Sequence, residues 1–132
     1  MTAREVTIAE RMTKTPHLIG AEQSLKTAHD LMRKHHIRHL PVLHGGKLIG
    51  VVSERDLHLV ETLHDVDPAR VRVEEAMSQD VYAVTPKTPL KEVVREMAGR
   101  RLGSAVVVDG THVIGVFTTV DALETLAGVL SP

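Results

Sequence analysis

Shifted by 65 positions, the sequence overlays on itself without a gap. Met12 aligns with Met77, Leu25-Lys26 with Leu90-Lys91, Met32 with Met97, Val42 with Val107 and Gly45 with Gly110. Ile49-Gly50-Val51 aligns with Ile114-Gly115-Val116, and Asp56 with Asp121. Most remaining pairs are chemically alike, such as Leu48/Val113, Val52/Phe117 and Ser53/Thr118. A repeat of this kind means one supersecondary unit built twice. Two copies are too few for a solenoid, so they are expected to share one core. The 132 residues suit a compact domain that buries about two-thirds of its unfolded surface.

Each copy shows the same order of elements. A short extended piece comes first (His17-Leu18-Ile19; Val81 to Val84). A helix follows, capped by Ser24 in copy one, with Leu25, Ala28, Leu31 and Met32 on one face. In copy two Thr88 is read as the cap and Pro89 as the first helical residue, with Leu90, Val93, Val94 and Met97 forming the stripe. Two apolar runs then flank a glycine turn (Gly45-Gly46; Asp109-Gly110), which signals a hairpin. A second helix closes each copy, carrying Leu57, Val60 and Leu63 in the first and Ala122, Leu123, Leu126, Ala127 and Leu130 in the second. The fold class is therefore α/β (α+β): two β-α-β-β-α repeats. Within each, the helical crossover makes the first two strands parallel. One repeat leaves an apolar sheet face bare, so the two are expected to pack sheet to sheet with pseudo-twofold symmetry. The boundaries fall at 8–64 for repeat one, 65–72 for a polar linker containing Pro68, and 73–130 for repeat two.

Composition narrows the chemistry. With no Cys, thiolate zinc sites, disulfides, iron–sulfur clusters and Cys nucleophiles are excluded. One Tyr, one Phe and no Trp leave no aromatic platform for single-stranded nucleic acid. A net charge of −1 gives no global pull toward polyanions. Copy one is slightly basic, which is weak support for nucleic-acid binding, and none is expected. No apolar run has the length of a membrane span, and Met1 to Glu5 lack the apolar stretch of a signal peptide, so no membrane insertion and a cytoplasmic location are expected. No nucleophile–base pair, paired carboxylates or phosphate loop is visible, so the chain reads as a non-enzyme. His35 and His39 have the spacing of a helical metal pair, but the helix should stop near His36. No metal is expected.

Three segments of the first copy and two of the second resemble the tandem cystathionine-β-synthase (CBS) domain pair, or Bateman module. They are the opening Met12-Thr13 and Met77-Ser78, the strand entry Ile37-Arg38-His39-Leu40-Pro41-Val42, and the closing Gly50-Val51-Val52-Ser53-Glu54-Arg55-Asp56-Leu57 and Gly115 to Ala122. The closing segments follow the family pattern of Gly, two apolar residues, Ser or Thr, two variable residues, Asp and an apolar residue. The resemblance covers roughly residues 8 to 130. It implies a regulatory module that holds AMP, ADP, ATP or S-adenosylmethionine in a cleft between two repeats and modulates a protein on another chain. It also implies a homodimer and no required cofactor. The alternative is a ligand-free module for dimerisation or protein interaction.

Site residues follow from the family positions. Asp56 and Asp121 are expected to bind ribose, with Ser53 and Thr118 offering hydroxyls to ribose or phosphate. The same residues also fit a capping box, a hydroxyl at the helix N-cap and an acid three residues later, which needs no ligand at all. A free helix N-terminus also attracts phosphate. Arg38, His39 and Arg55 are the expected phosphate contacts. Copy two has Gly103-Ser104 and Val120 in their places, so the two sites are expected to be unequal. The adenine pocket is placed at His17, Ile37 and Val51 in copy one and at Tyr82, Leu102 and Val116 in copy two.

Overall fold

The computed structural model describes residues 5–14 and 16–131, with the side chains of Leu63 and His64 left out. The signal-peptide reading of Met1 to Arg4 and the placement of the Leu63 side chain thus lie outside the described residues. The order of elements is β1 (Thr13–Lys14), β2 (Ile19–Gly20), α1 (Leu25–His35), β3 (His39–His44), β4 (Lys47–Ser53), α2 (Glu54–His64), β5 (Ala83–Val84), α3 (Leu90–Arg100), β6 (Ser104–Asp109), β7 (His112–Thr118) and α4 (Thr119–Leu130). Short 3-10 turns at Ile8–Glu10 and Val73–Glu75 precede the two opening Met residues.

The chain forms two compact units. One is the continuous stretch His17–Val81. Its sheet has the order β2-β3-β4, with β2 parallel to β3 and β3 antiparallel to β4. The apolar stripe of α1 (Leu25, Ala28, Met32) and Leu57 of α2 bury against Ile19, Leu40, Val42 and Val52. The other unit combines the described residues up to Pro16 with those from Tyr82 onward. Its sheet runs β1-β7-β6-β5, again with a parallel crossover pair and an antiparallel hairpin. Val93 and Met97 of α3 pack on Ala105, Val107, Phe117 and Ile8. Both hairpins turn at glycines with positive φ (Gly45 and Gly46; Gly110), where a side chain would be strained. Both carry a register shift at matching places, Val42/Leu43 and Val107/Val108.

The segments that open the repeats are exchanged. The first opening segment belongs to the unit built from copy two: β1 pairs antiparallel with β7, Thr13 opposite Val116 and Lys14 opposite Gly115. In the same unit, the Ile8 and Leu90 amides donate to the carbonyls of Thr88 and Val6, both at 2.8 Å. The second opening segment stays with copy one. Val51 and Ser78 exchange backbone hydrogen bonds of 3.0 and 2.9 Å, and the Val73 and Leu25 amides donate to the carbonyls of Gln23 and Val71 at 2.7 and 2.9 Å. The exchange explains two of the repeat identities. Met12 lies over Gly115, and Met77 over Gly50.

One local expectation needs correction. Pro89 occupies the cap position rather than the first helical residue, because its ψ of 132° is extended, and Thr88 supplies no cap. The Leu90 amide is satisfied from the arm instead, by the Val6 carbonyl. Of the apolar residues of α4, Ala122 packs against the core of its unit while the leucines stay outside it. None of its residues is buried, and Leu123, Leu126 and Leu130 are 64%, 50% and 74% exposed.

Candidate functional site

Topology gathers most of the copy-one candidates at one end of one sheet. The parallel pairing of β2 with β3 sets the approach to β2 beside the start of β3. The antiparallel pairing of β3 with β4 sets His39 opposite Ser53, where β4 runs into α2. The C-terminal end of α1 feeds the same corner through His36, which takes the left-handed conformation (φ 55°) and ends the helix. His35 and His39 therefore do not share a helical face. His17, Ile37, Arg38, His39, Ser53, Arg55 and Asp56 all belong to this corner, while Val51 sits two residues before the end of β4, paired with Pro41.

At the start of α2 the helix terminus is already engaged. The Asp56 amide donates to Ser53 Oγ at 3.1 Å, and the Ser53 amide donates to Asp56 Oδ2 at 2.9 Å. This reciprocal capping box satisfies two donors that the first turn would leave open. Asp56 Oδ1 accepts no hydrogen bond among the described residues. The Glu54 amide donates to the Arg38 carbonyl at 2.9 Å, which ties the basic step to the helix. Arg38 and Arg55 are exposed and form no ion pair among the described residues. His39 is half-buried. Burial holds its pKa below the ordinary value, the Asp56 carboxylate pulls it back up, and Arg38 adds a smaller downward push.

The corner in the other unit has the same backbone and different charges. Ser104 stands opposite Thr118 and is buried, and the Thr119 amide donates to the Gly103 carbonyl at 3.2 Å. Thr118 and Asp121 form the matching capping box. The exchanged arm adds a partner here, since Thr13 Oγ1 lies 3.4 Å from both carboxylate oxygens of Asp121. Ser78, the counterpart of Thr13, instead has its hydroxyl on the Asp80 amide at 3.3 Å. Asp121 is thus held from two sides, and Asp56 from one.

The adenine candidates divide. Ile37 and Leu102 are half-buried against their units' cores. Val116 is 7% exposed and sits opposite Thr13 of β1, which leaves little surface for a base. Tyr82 is half-buried, its carbonyl accepts from the Val106 amide at 2.9 Å, and the Arg100 guanidinium lies 5.7 Å from its ring centroid. Burial, with Glu96 and Glu92, raises its pKa against the opposing effect of Arg100. His17 is exposed and stacks on His35, ring centroids 3.5 Å apart and planes 14° from parallel. No signal in the sequence distinguished this stack or the role of Thr13. Among the described residues no cluster of three His, Cys, Asp or Glu is set to hold a metal ion.

The CBS domain profile matches residues 3–60 and again 73–128. The chain belongs to the CBS domain family. As a CBS pair it is similar to the CBS domain-containing protein YhcV of Bacillus subtilis, 26% identical over 109 residues that cover 83% of this chain and 77% of YhcV. It is 32% identical to the inosine-5'-monophosphate dehydrogenase of Korarchaeum cryptofilum over 104 residues, 78% of this chain but 21% of that enzyme. Several other relatives are likewise matched over less than two-fifths of their length, so in them the CBS pair is one part of a larger protein. Among solved structures, the provisionally named acetoin utilization protein AcuB of Vibrio cholerae superposes with a TM-score of 0.85 at 30% identity, over 96% of this chain and 94% of that one. The CBS pair of MJ0100, solved with 5'-methylthioadenosine and S-adenosyl-L-methionine, also superposes at 0.85, with 23% identity and coverage of 96% and 99%. Among the described residues of this CBS pair no helix is long and apolar enough to cross a membrane.

Proposed function

We propose that this CBS pair is a regulatory module that binds an adenosine-containing ligand, AMP, ADP, ATP or S-adenosylmethionine, and modulates a partner protein. The observation that carries the reading is the corner of the first unit. There Asp56, with one carboxylate oxygen unused among the described residues, stands at a helix N-terminus beside half-buried His39 and two exposed arginines that have no ion-pair partner among those residues. A carboxylate with a spare oxygen can accept ribose hydroxyls, and an Arg fork suits phosphate. The MJ0100 complex supports an adenosine ligand in general. The corner in the second unit lacks the basic step, and its Asp121 is already shared with Thr13, so it is the weaker site. Each repeat, 8–64 and 73–130, supplies one such corner, and 65–72 joins them. The module itself performs no chemistry. Its absence of Cys fits a cytoplasmic setting.

Calorimetric titration with each of the four ligands tests this. Binding should be tighter than about millimolar, and it should be lost when Asp56→Ala and Asp121→Ala are combined. No binding, or binding that survives the double substitution in a folded protein, refutes the reading.

One observation favours the alternative of a dimerisation module. Val120, Leu123, Val129 and Leu130 of α4 are all more than half exposed. A monomer rarely leaves so many large apolar side chains on one helix in water. A homodimer through α4 is compatible with ligand binding, so the two readings exclude each other only if the corners prove empty.

A further inference from the structure

The two copies hold the segment before their first strand in different ways. In copy two the Val106 amide donates to the Tyr82 carbonyl, which pins the backbone at Tyr82. Offset by 65, the equivalent donor in copy one is Pro41 and the equivalent acceptor is His17. Proline has no N–H, so the bond cannot form. Instead, the His17 side chain lies face to face with His35 in the last turn of α1, at 3.5 Å and 14°. The ring stack takes the place of the missing strand hydrogen bond.

The surroundings of this stack are one-sided. The groups acting electrostatically on His35 are His17, Lys34 from its own helix and His36 from the following turn, and all of them oppose protonation. Desolvation opposes it most, and the pKa of His35 lies below its ordinary value of 6.5. No carboxylate among the groups that act on it offsets a proton there. Two imidazolium rings at this separation repel each other strongly, whereas two neutral rings, or one neutral and one charged, stack.

We propose that the His17–His35 stack is a proton-sensitive clasp that covers the ring face of His17 and releases it, on acidification, to a planar base. The proposal rests on the adenosine-ligand reading and names His35 as a residue controlling access to that site. Above neutral pH the clasp is shut, and a base has to displace His35. On acidification His35 takes up its proton, the rings separate, and the ring face of His17 is open to a base.

Adenosine serves as the probe, because it lacks phosphate and does not report on Arg38 or His39 charge. Its affinity should be measured at about pH 7.5 and about pH 5.5 for the wild type, His35→Ala and His35→Gln. Wild-type affinity should rise on acidification. Both variants should bind about threefold tighter than wild type at the higher pH and lose most of the pH dependence. In parallel, an NMR titration of the histidine ring protons should show mutual ring-current shifts of His17 and His35 that vanish as His35 takes up its proton. Ring-current shifts that persist through that titration overturn the clasp. So does adenosine binding that is equal in wild type and both variants at both pH values. If adenosine and AMP bind none of the proteins at either pH, the ligand reading fails and takes this proposal with it.

Discussion

Replacing Gly50 by Ala tests the exchange of opening segments directly. Gly50 lies in the middle of β4, opposite Val42. A Cβ there would lie 2.5 Å from Met77 Sδ, 2.8 Å from the Ser78 carbonyl oxygen and 3.1 Å from Met77 Cγ. The thioether can swing aside, but the carbonyl cannot, because it accepts the Val51 amide at 3.0 Å. Overpacking of this kind costs about 1–3 kcal/mol. Disturbing the paired Val51–Ser78 bonds adds about 1 kcal/mol. Gly50→Ala should therefore destabilise the protein by about 2–4 kcal/mol, lowering the urea midpoint with little change in slope. Combining it with Met77→Ala should recover part of the loss and give a favourable coupling in a double-mutant cycle. Gly99→Ala is the control, since nothing lies within 4 Å of its added Cβ. In the interior of α3 it should stabilise by about 0.5–1 kcal/mol. A Gly50→Ala loss under about 0.5 kcal/mol, or no coupling to Met77, would refute the placement of residues 77–78 against β4.

Removing either cap hydroxyl, Ser53→Ala or Thr118→Ala, should cost about 1 kcal/mol in chemical unfolding, because each accepts its helix's third amide. His39 contributes to acid sensitivity. With its folded pKa held below the unfolded one, its neutral form favours folding, so its contribution is intact above pH 6.5 and is lost progressively as pH falls. His39→Asn should flatten the decline of stability measured in that window. Phosphate held beside His39 raises its pKa, so nucleotide binding near pH 6.5 should take up protons, read as a dependence of calorimetric heat on buffer ionisation enthalpy. Leu123→Glu with Leu130→Glu should shift sedimentation toward monomer without lowering thermal stability per protomer, since neither side chain lies in the core.

Much of the fold is local and was legible in the amino-acid pattern. The stripe of α1 and its Ser24 cap, the glycine hairpins and the parallel crossovers all follow from neighbours in sequence. What escaped was non-local. Nothing in Met12-Thr13 says that it pairs with β7 rather than with its own copy, because a two-residue strand carries no period. The identity of Met12 with Met77 and of Gly50 with Gly115 held the information, but only the structure shows which Met meets which Gly. Pro89 sits one position earlier than its sequence context implies, and the arm, not a side chain, satisfies the Leu90 amide. At the site, the Ser53–Asp56 and Thr118–Asp121 pairs were read correctly as capping boxes in form. The hold of Thr13 on Asp121 and the His17–His35 stack depend on segments far apart in the chain.

The arm that carries β1 also sets a schedule. The stretch His17–Val81 holds a complete unit, so during synthesis it can close as soon as its last residues clear the ribosome. The arm is made before it, yet its partner β7 (His112–Thr118) is made near the end. Until then Thr13–Lys14 is an unpaired edge, and its docking must close a long loop of chain that includes a unit already folded. Folding from N- to C-terminus is thus expected in two steps, with the arm as the last piece to lock. A nascent chain stalled once Val81 has cleared the ribosome should bury Leu57 while leaving Met12 open to oxidation.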